Sequence, residues 1–202
     1  MMTDLQAQWQ FFNELEKLKT VTRQNQTLDG RFENSAEHSW QLALMAVTLR
    51  QHFPEKVDLE KVMTMLLLHD VGEIGTGDTS AFDEVGKANS YERELISVSK
   101  TFAFLPRNQR DRYLDLWKEF ERGNSTEARY ARCIDVIAPV LNHLLIAKEG
   151  DNADGLTREQ VLAKKSFIEK ESPELWLWVI EMVDQSVARG FIFAIKETMK
   201  RL

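Results

Sequence analysis

The chain has 202 residues, the length of one domain or of one domain with an added helical layer. Its formal net charge of −6 argues against a nucleic-acid polymer as partner, because binding to a phosphate backbone needs a basic face. The single cysteine, Cys133, cannot form an internal disulfide and so favours a reducing compartment. The N-terminal residues do not resemble a secretory signal, and the longest apolar run, Met65–Leu68, is too short to span a bilayer. We therefore expect a cytoplasmic protein with no membrane partner.

The first half of the chain shows helical periodicity on both sides of one polar segment. That segment contains Gly30 and lacks apolar periodicity, so a loop is expected there. Ser35 and Asp58 are suited to N-cap the two helices that follow. The predicted elements are a helix over 6–18, the loop over 20–34, a helix from 35 to about 51, and a helix from about 58 that ends in the glycine-punctuated segment 71–77.

The second half continues the helical pattern. Thr157 with Gln160 forms a capping box, and Pro173 suits the first turn of a helix. Pro139 falls inside a helix and is expected to kink it. The predicted elements are helices over 87–104, over 108–122 and from 126, a turn over 150–155, and helices from 157 and from about 173.

The fold class predicted from this pattern is all-α, with one domain over residues 1–202. Its core motifs lie at about 20–145, and additional C-terminal helices lie at about 157–202. Trp40 and Trp117 are expected in the core. The segment 175–182 is too apolar all round for a solitary surface helix, so it forms either core or a dimer contact. We expect a homodimer.

His69 and Asp70 stand together at the end of an otherwise apolar helix. Burying an unpaired carboxylate is costly, and a metal ion would remove that cost. Imidazole nitrogen and carboxylate oxygen together suit divalent Mn, Fe, Co, Ni or Zn, and Mg less well. A His-Asp dipeptide alone is a weak signal, because it also occurs by chance.

Other residues strengthen the metal interpretation. His38 lies one turn inside a capped helix, and Glu73 and Asp78 follow the His-Asp pair closely. Asp135 sits on an apolar helix where no local residue pairs with it. Pro139 cannot donate a hydrogen bond to the carbonyl of Asp135, so the helix is loosened at that point.

Several motifs in chain order carry a resemblance to a known family. They are Glu37-His38-Ser39, His69-Asp70-Val71-Gly72-Glu73, Gly77-Asp78 and the distal Asp135. This pattern resembles the HD-domain phosphohydrolases, and within them it is most similar to the small 5′-deoxynucleotidases. The resemblance covers about residues 10–145. It implies an all-α fold with one divalent metal ion, whose ligands here would be His38, His69, Asp70 and Asp135.

The resemblance also implies roles for residues around the metal. Glu73 would act as an acid/base residue, and Asp78 would lie beside the reacting phosphate. Arg23 would bind that phosphate. Arg31 and Lys87 are further candidates for substrate contacts, with ordinary solvated charges as the alternative.

The function that follows is hydrolysis of a phosphate ester by metal-activated water, with (deoxy)nucleoside 5′-monophosphates as the expected substrates. Two alternatives stay open at this point. One is a phosphatase or phosphodiesterase for another small phosphate ester. The other is a helical scaffold that binds the metal without turnover.

Overall fold

The computed structural model describes residues 2–80, 82–148, 152 and 155–194. Within them the chain forms ten α-helices and one small antiparallel hairpin, so the all-α prediction is confirmed. Three 3-10 helices cover Glu16–Thr20, Arg50–His52 and His69–Glu73. The α-helices are α1 Asp4–Leu15, α2 Ser35–Thr48, α3 Leu59–Leu68, α4 Glu84–Lys87, α5 Ser90–Phe102, α6 Arg107–Arg122, α7 Thr126–Ile146, α8 Arg158–Lys165, α9 Phe167–Glu171 and α10 Pro173–Ala188.

Side-chain caps fix where the site-bearing helices begin. Helix α2 is capped by Asn34, whose side chain accepts from the Glu37 backbone at 3.0 Å, while Glu37 accepts from the Asn34 backbone at 3.2 Å. The predicted cap, Ser35, is instead the first helical residue. The caps predicted at Asp58 and Thr157 are confirmed. Capping satisfies backbone N–H groups that have no partner inside the helix, so α2 starts at a defined residue and presents His38 in its first turn.

The loop predicted over 20–34 is wrong in part. Strands β1 (Thr22–Gln26) and β2 (Phe32–Asn34) pair antiparallel, with Thr22 opposite Asn34. Gly30 lies in the connection at φ +84°, a conformation that suits glycine. The strands carry polar residues on both faces, so they lack the apolar alternation that would reveal them in the sequence. The residues of β1 that turn inward are polar, and one of them is Arg23.

The centre of the molecule is the packing of α2 on α3 and of both on α7. Leu42, Met65 and Ile134 are fully buried there. Trp117 is also fully buried, as predicted, and its indole N–H donates to the His69 carbonyl at 2.9 Å. Trp40 is 63% exposed, so its predicted core position is wrong. It lies two residues after the buried His38, which turns it to the opposite side of α2.

Helices α8, α9 and α10 form a C-terminal layer, with α10 packed against α7, α8 and α9. Leu175, Val179 and Met182 on α10 are buried, whereas Leu177 is 67% exposed. The apolar segment 175–182 is therefore mainly core. Most of the turn predicted over 150–155, and the last residues of the helices predicted to 202, lie outside the described residues. The single domain over 1–202 stays a prediction. None of the helices in the described ranges is long and apolar enough to cross a membrane.

Candidate metal centre

Three elements bring two histidines and an aspartate together. His38 comes from α2, Asp135 from α7, and His69 from the junction where α3 passes into a 3-10 helix. One potential ligand atom from each lies within 4.8 Å of the other two. His38 Nε2 is 3.2 Å and His69 Nε2 is 3.6 Å from the same Asp135 oxygen, Oδ1. Both histidines are buried, so solvent does not satisfy their ring nitrogens.

The protonation of His69 is set by its surroundings. Its Nδ1 lies 2.7 Å from the Leu66 carbonyl, which can only accept a hydrogen bond, so Nδ1 carries the proton. In the neutral ring, Nε2 then has a free lone pair. That atom is buried and has no hydrogen-bond partner among the described residues. A backbone carbonyl that orients one ring nitrogen while the other faces a metal is a common arrangement at metal sites. His69 Nε2 therefore fits a metal ion.

Asp70 joins this group to an arginine. Its Oδ1 lies 3.0 Å from His69 Nε2, and its Oδ2 accepts from Arg23 Nη1 at 2.9 Å. Burial alone would raise the pKa of Asp70, but the charges of His69 and Arg23 outweigh burial and lower the pKa to about 2. The pKa of Asp135 is likewise held well below its usual value, because the adjacent imidazoles of His38 and His69 outweigh burial. Both carboxylates are thus ionised and available as ligands.

Arg23 is buried among four carboxylates. Besides Asp70, its guanidinium lies 3.6 Å from Asp78 and 3.9 Å from Glu73 through Nη1, and 3.5 Å from Glu33 through Nε. Even when Glu73 holds a proton, the one positive charge of Arg23 does not balance the carboxylates that remain around it in a largely buried site. A bound divalent cation would offset the excess, in agreement with the donor set formed by the histidines and Asp135. The residues present therefore fit a metal ion.

Glu73 has the properties of a proton donor or acceptor. Its Oε2 accepts from the Ser35 hydroxyl at 2.6 Å, and its side chain is buried. Burial, followed by the nearby charge of Asp70, raises the pKa of Glu73 to about 9. A carboxyl group with so high a pKa can hold a proton at neutral pH, which is the state required of a general acid.

Glu33 is a buried carboxylate that the sequence interpretation did not single out. Its Oε2 lies 3.5 Å from Arg23 Nε and 3.8 Å from His38 Nδ1, and it has no hydrogen-bond partner in the part of the chain described. It therefore links the arginine to the first histidine. Its local sequence carried no signal, because its burial follows from the pairing of β2 with β1.

A cavity of about 430 Å³ opens onto this centre. Predicted site residues that line it are Arg23, Asp70, Glu73, Asp78, Lys87 and Asp135. Lys165, from the C-terminal layer, lines it as well and was not predicted. Arg31 is not among the lining residues. Its guanidinium pairs with both carboxylate oxygens of Glu37, at 2.6 and 2.9 Å, and its side chain is half exposed.

Comparison with known proteins agrees with this geometry. An HD domain family profile matches residues 15–176. The chain belongs to the HD domain family. The resemblance inferred from the motifs is thereby confirmed.

Solved and curated relatives extend the comparison. A crystal structure described as a predicted metal-dependent phosphohydrolase from Magnetospirillum magnetotacticum MS-1 is 36% identical, covers 95% of this chain and 99% of that chain, and superimposes with a TM-score of 0.87. The 5′-deoxynucleotidase of Erwinia tasmaniensis is 28% identical over 68% of this chain and 78% of its own length. The 5′-deoxynucleotidase HDDC2 of Homo sapiens is 25% identical over 65% of this chain and 64% of its own length. The chain spans about half to two thirds of the length of the vertebrate relatives it matches.

Proposed function

We propose that this protein is a metal-dependent phosphohydrolase that releases phosphate from deoxynucleoside 5′-monophosphates. The observation that supports it most is the group of His38, His69 and Asp135, whose aspartate lines one cavity together with Arg23 and Glu73. Metal ligands, a cation for phosphate and a group that can exchange protons are the parts that hydrolysis of a phosphomonoester requires. The similarity to 5′-deoxynucleotidases supports the choice of substrate.

In this proposal His38, His69, Asp70 and Asp135 hold one divalent ion. Such an ion supplies charge stabilisation for the phosphoryl group and a more acidic water molecule. Two imidazoles favour Mn, Fe, Co, Ni or Zn over Mg.

Arg23 orients the phosphate. Its planar guanidinium can contact two phosphoryl oxygens at once, and its carboxylate neighbours hold it in place between binding events. Lys87 lines the same cavity and provides a second positive charge. Asp78, 3.6 Å from Arg23, sets the position of the guanidinium and lies at the phosphate end of the cavity.

Glu73 exchanges the proton in this proposal. Its Oε1 lies 3.9 Å from Arg23 Nη1, while Oε2 accepts from the Ser35 hydroxyl. In its protonated form it can donate to the leaving oxygen of the substrate, and as a carboxylate it can accept a proton from water. General acid/base catalysis of this kind contributes typically about 10²–10⁴-fold to rate.

Two alternatives to this proposal are another phosphate ester as substrate and a metal-binding scaffold without turnover. Hydrolysis of another small phosphate ester uses the same groups, and substrate profiling separates it from the main proposal. A scaffold that binds metal without turnover has no use for a buried, protonatable Glu73 in the cavity. We also propose a cytoplasmic location and a homodimer. The buried Cys133 favours a reducing compartment, and exposed apolar residues such as Leu177 are available for a subunit contact.

The experiment is a phosphate-release assay on purified protein with Mn, Co, Ni, Zn or Mg added singly after treatment with a chelator. The panel contains deoxynucleoside and ribonucleoside 5′-monophosphates, sugar phosphates and a phosphodiester. We expect metal-dependent release from the deoxynucleotides. Release from sugar phosphates alone would favour the first alternative. A metal-loaded protein that hydrolyses none of these esters would favour the scaffold.

A further inference from the structure

The cavity that opens onto the metal centre is completed by the C-terminal part of the chain. The lining from α7 onward is largely apolar, with His143, Asn152, Ser186 and Lys165 as polar residues among it, whereas Gln24, Asn25, Thr79, Ser80 and Phe82 line the cavity from earlier segments. We define the apolar wall as Pro139, Val140, Leu156, Val161, Val183 and Ile192. A cavity with one charged side and one apolar side suits a ligand that has a phosphate at one end and a flat, weakly polar body at the other.

Lys165 interrupts the apolar wall. It is the last residue of α8, only 8% exposed, and it lines the cavity. Its ammonium donates to the Val136 carbonyl at 2.9 Å and forms no salt bridge within 4 Å among the described residues. A buried lysine without a direct ion pair is unfavourable. Burial lowers the pKa of Lys165 to about 8, and the charge of Asp135 offsets only part of that effect.

A structural role accounts for only part of this arrangement. The Val136 carbonyl lies next to the break that Pro139 makes in the α7 hydrogen-bond pattern, and Lys165 supplies it with a donor. An ammonium group carries three N–H donors and no acceptor. One N–H is used by Val136, which leaves two for a hydrogen-bond acceptor that enters the cavity.

We propose that Lys165 recognises the nucleobase: its ammonium donates to a carbonyl oxygen on the base, whose flat faces pack on the apolar wall. This inference rests on the proposed function and names a determinant of specificity for it. A pyrimidine or guanine base carries such an oxygen, whereas adenine carries none. The protein is therefore selective for bases with a carbonyl group over adenine. Lys165 takes no part in the chemistry at the phosphate.

Steady-state kinetics on three substrates test the proposal. They are dTMP, which has base carbonyls, dAMP, which has none, and 2-deoxyribose 5-phosphate, which has no base. Lys165→Met should raise KM for dTMP about tenfold or more, the size expected for a lost hydrogen bond to a charged donor. The KM values for dAMP and for the abasic sugar phosphate should stay within about threefold, and kcat for dTMP should change little.

Matched variants separate recognition from structure. Lys165→Arg keeps a buried cationic donor and should recover part of the affinity for dTMP. Lys164→Met removes the same charge from the exposed neighbouring residue and should behave like wild type. Metal content and melting temperature, measured for each variant, report on folding. An equal rise of KM for all three substrates would place Lys165 at the phosphate and overturn the proposal, as would unchanged KM values for all three.

Equilibrium binding tests the proposal on the wild-type protein, so it requires neither turnover nor a variant that folds. Calorimetry on metal-loaded wild-type protein should show thymidine binding at least about tenfold more tightly than 2′-deoxyadenosine. Equal affinities would overturn base recognition even if every nucleotide were hydrolysed. Conversely, selective thymidine binding by a protein that hydrolyses no phosphate ester would uphold the inference and reject the proposed hydrolysis.

Discussion

The two sides of the cavity are built in opposite ways. On one side Arg23 lies within 4 Å of the buried carboxyl groups of Asp70 and Glu73, and the charge states of these carboxyl groups are set by their neighbours. On the other side the apolar wall is core packing, with Lys165 and a few uncharged polar residues beside it. The first side is expensive in free energy unless the proposed metal and phosphate are bound. The second is stable without a ligand. The proposed catalysis and the proposed binding of the base therefore depend on different parts of the chain, and each can be tested separately.

The largest effect is expected from removing a ligand on the polar side. Asp135→Ala takes away the carboxylate that lies within 3.6 Å of both histidine Nε2 atoms. The variant should lose most of its metal and fall in activity by roughly two orders of magnitude or more, the scale on which metal and acid/base groups act. Elemental analysis beside the phosphate assay provides the measurement. Asp115→Ala, an exposed aspartate on α6, is the control. Full metal occupancy in Asp135→Ala would rule out its role as a ligand.

Glu73→Gln tests the proton exchange without removing a ligand. Glutamine keeps the size of the side chain and an oxygen that can accept from Ser35, but it cannot ionise. Turnover should fall about 10²–10⁴-fold while metal content stays at the wild-type level. Ser35→Ala, which removes only the hydroxyl that holds Glu73, should have a smaller effect on kcat. If Glu73→Gln turns over like wild type, the acid/base role belongs to another group, with Asp78 the first to test.

A smaller and different effect is expected on the apolar wall. Val183 is 1% exposed on α10, so Val183→Ala removes buried methyl groups and leaves a space. We expect a loss of stability of about 2 kcal/mol, which lowers the melting temperature by about 4–8 °C for a chain of this size. Metal content should not change. Val85→Ala, at a valine that is 88% exposed, is the matched control. Loss of metal in Val183→Ala would show that the two sides are coupled.

The smallest effect is expected at Arg31. Because Arg31 is half exposed and paired with Glu37, Arg31→Ala should leave KM within about twofold of wild type and the melting temperature nearly unchanged. Arg23→Ala is the contrasting variant: it removes the buried guanidinium at the cavity and should raise KM as well as lower turnover. A tenfold rise of KM in Arg31→Ala would mean that Arg31 reaches the substrate after all, as the sequence interpretation suggested.

The polar side could be predicted from the sequence because its residues occur in short motifs. His69, Asp70 and Glu73 lie within five residues of one another, and a caps-and-periodicity argument puts His38 at the start of a helix. Asp135 stood out as a charge on an apolar helix. The structure groups His38, His69 and Asp135, and Asp70, Glu73 and Asp135 line one cavity; their roles as ligands and catalytic groups are tested by the experiments above.

The parts of the site that the sequence did not predict depend on packing between segments that are distant in the chain. Lys165 meets the cavity through a contact with Val136, 29 residues earlier, and nothing in the local sequence distinguishes it from the exposed Lys164. Glu33 and the hairpin around it were missed because inward-facing polar residues on a strand give no apolar alternation. Trp40 shows the reverse error, in which a large apolar residue was assigned to the core although its position on α2 faces away from the buried histidine.

The 3-10 helix His69–Glu73 has a consequence for how this centre can change over evolution. In such a helix, residues three apart lie one above the other, so Asp70 and Glu73 are on the same side of the turn. Both approach Arg23 Nη1 for that reason, at 2.9 and 3.9 Å. The spacing of three residues between Asp70 and Glu73 is therefore required for both to face Arg23. Insertion or deletion of one residue would swing Glu73 around the axis by about 120° and leave His69 and Asp70 where they are. A single insertion or deletion between Asp70 and Glu73 would therefore remove the proposed proton exchange in one step while the proposed metal ligands His69 and Asp70 stay in place.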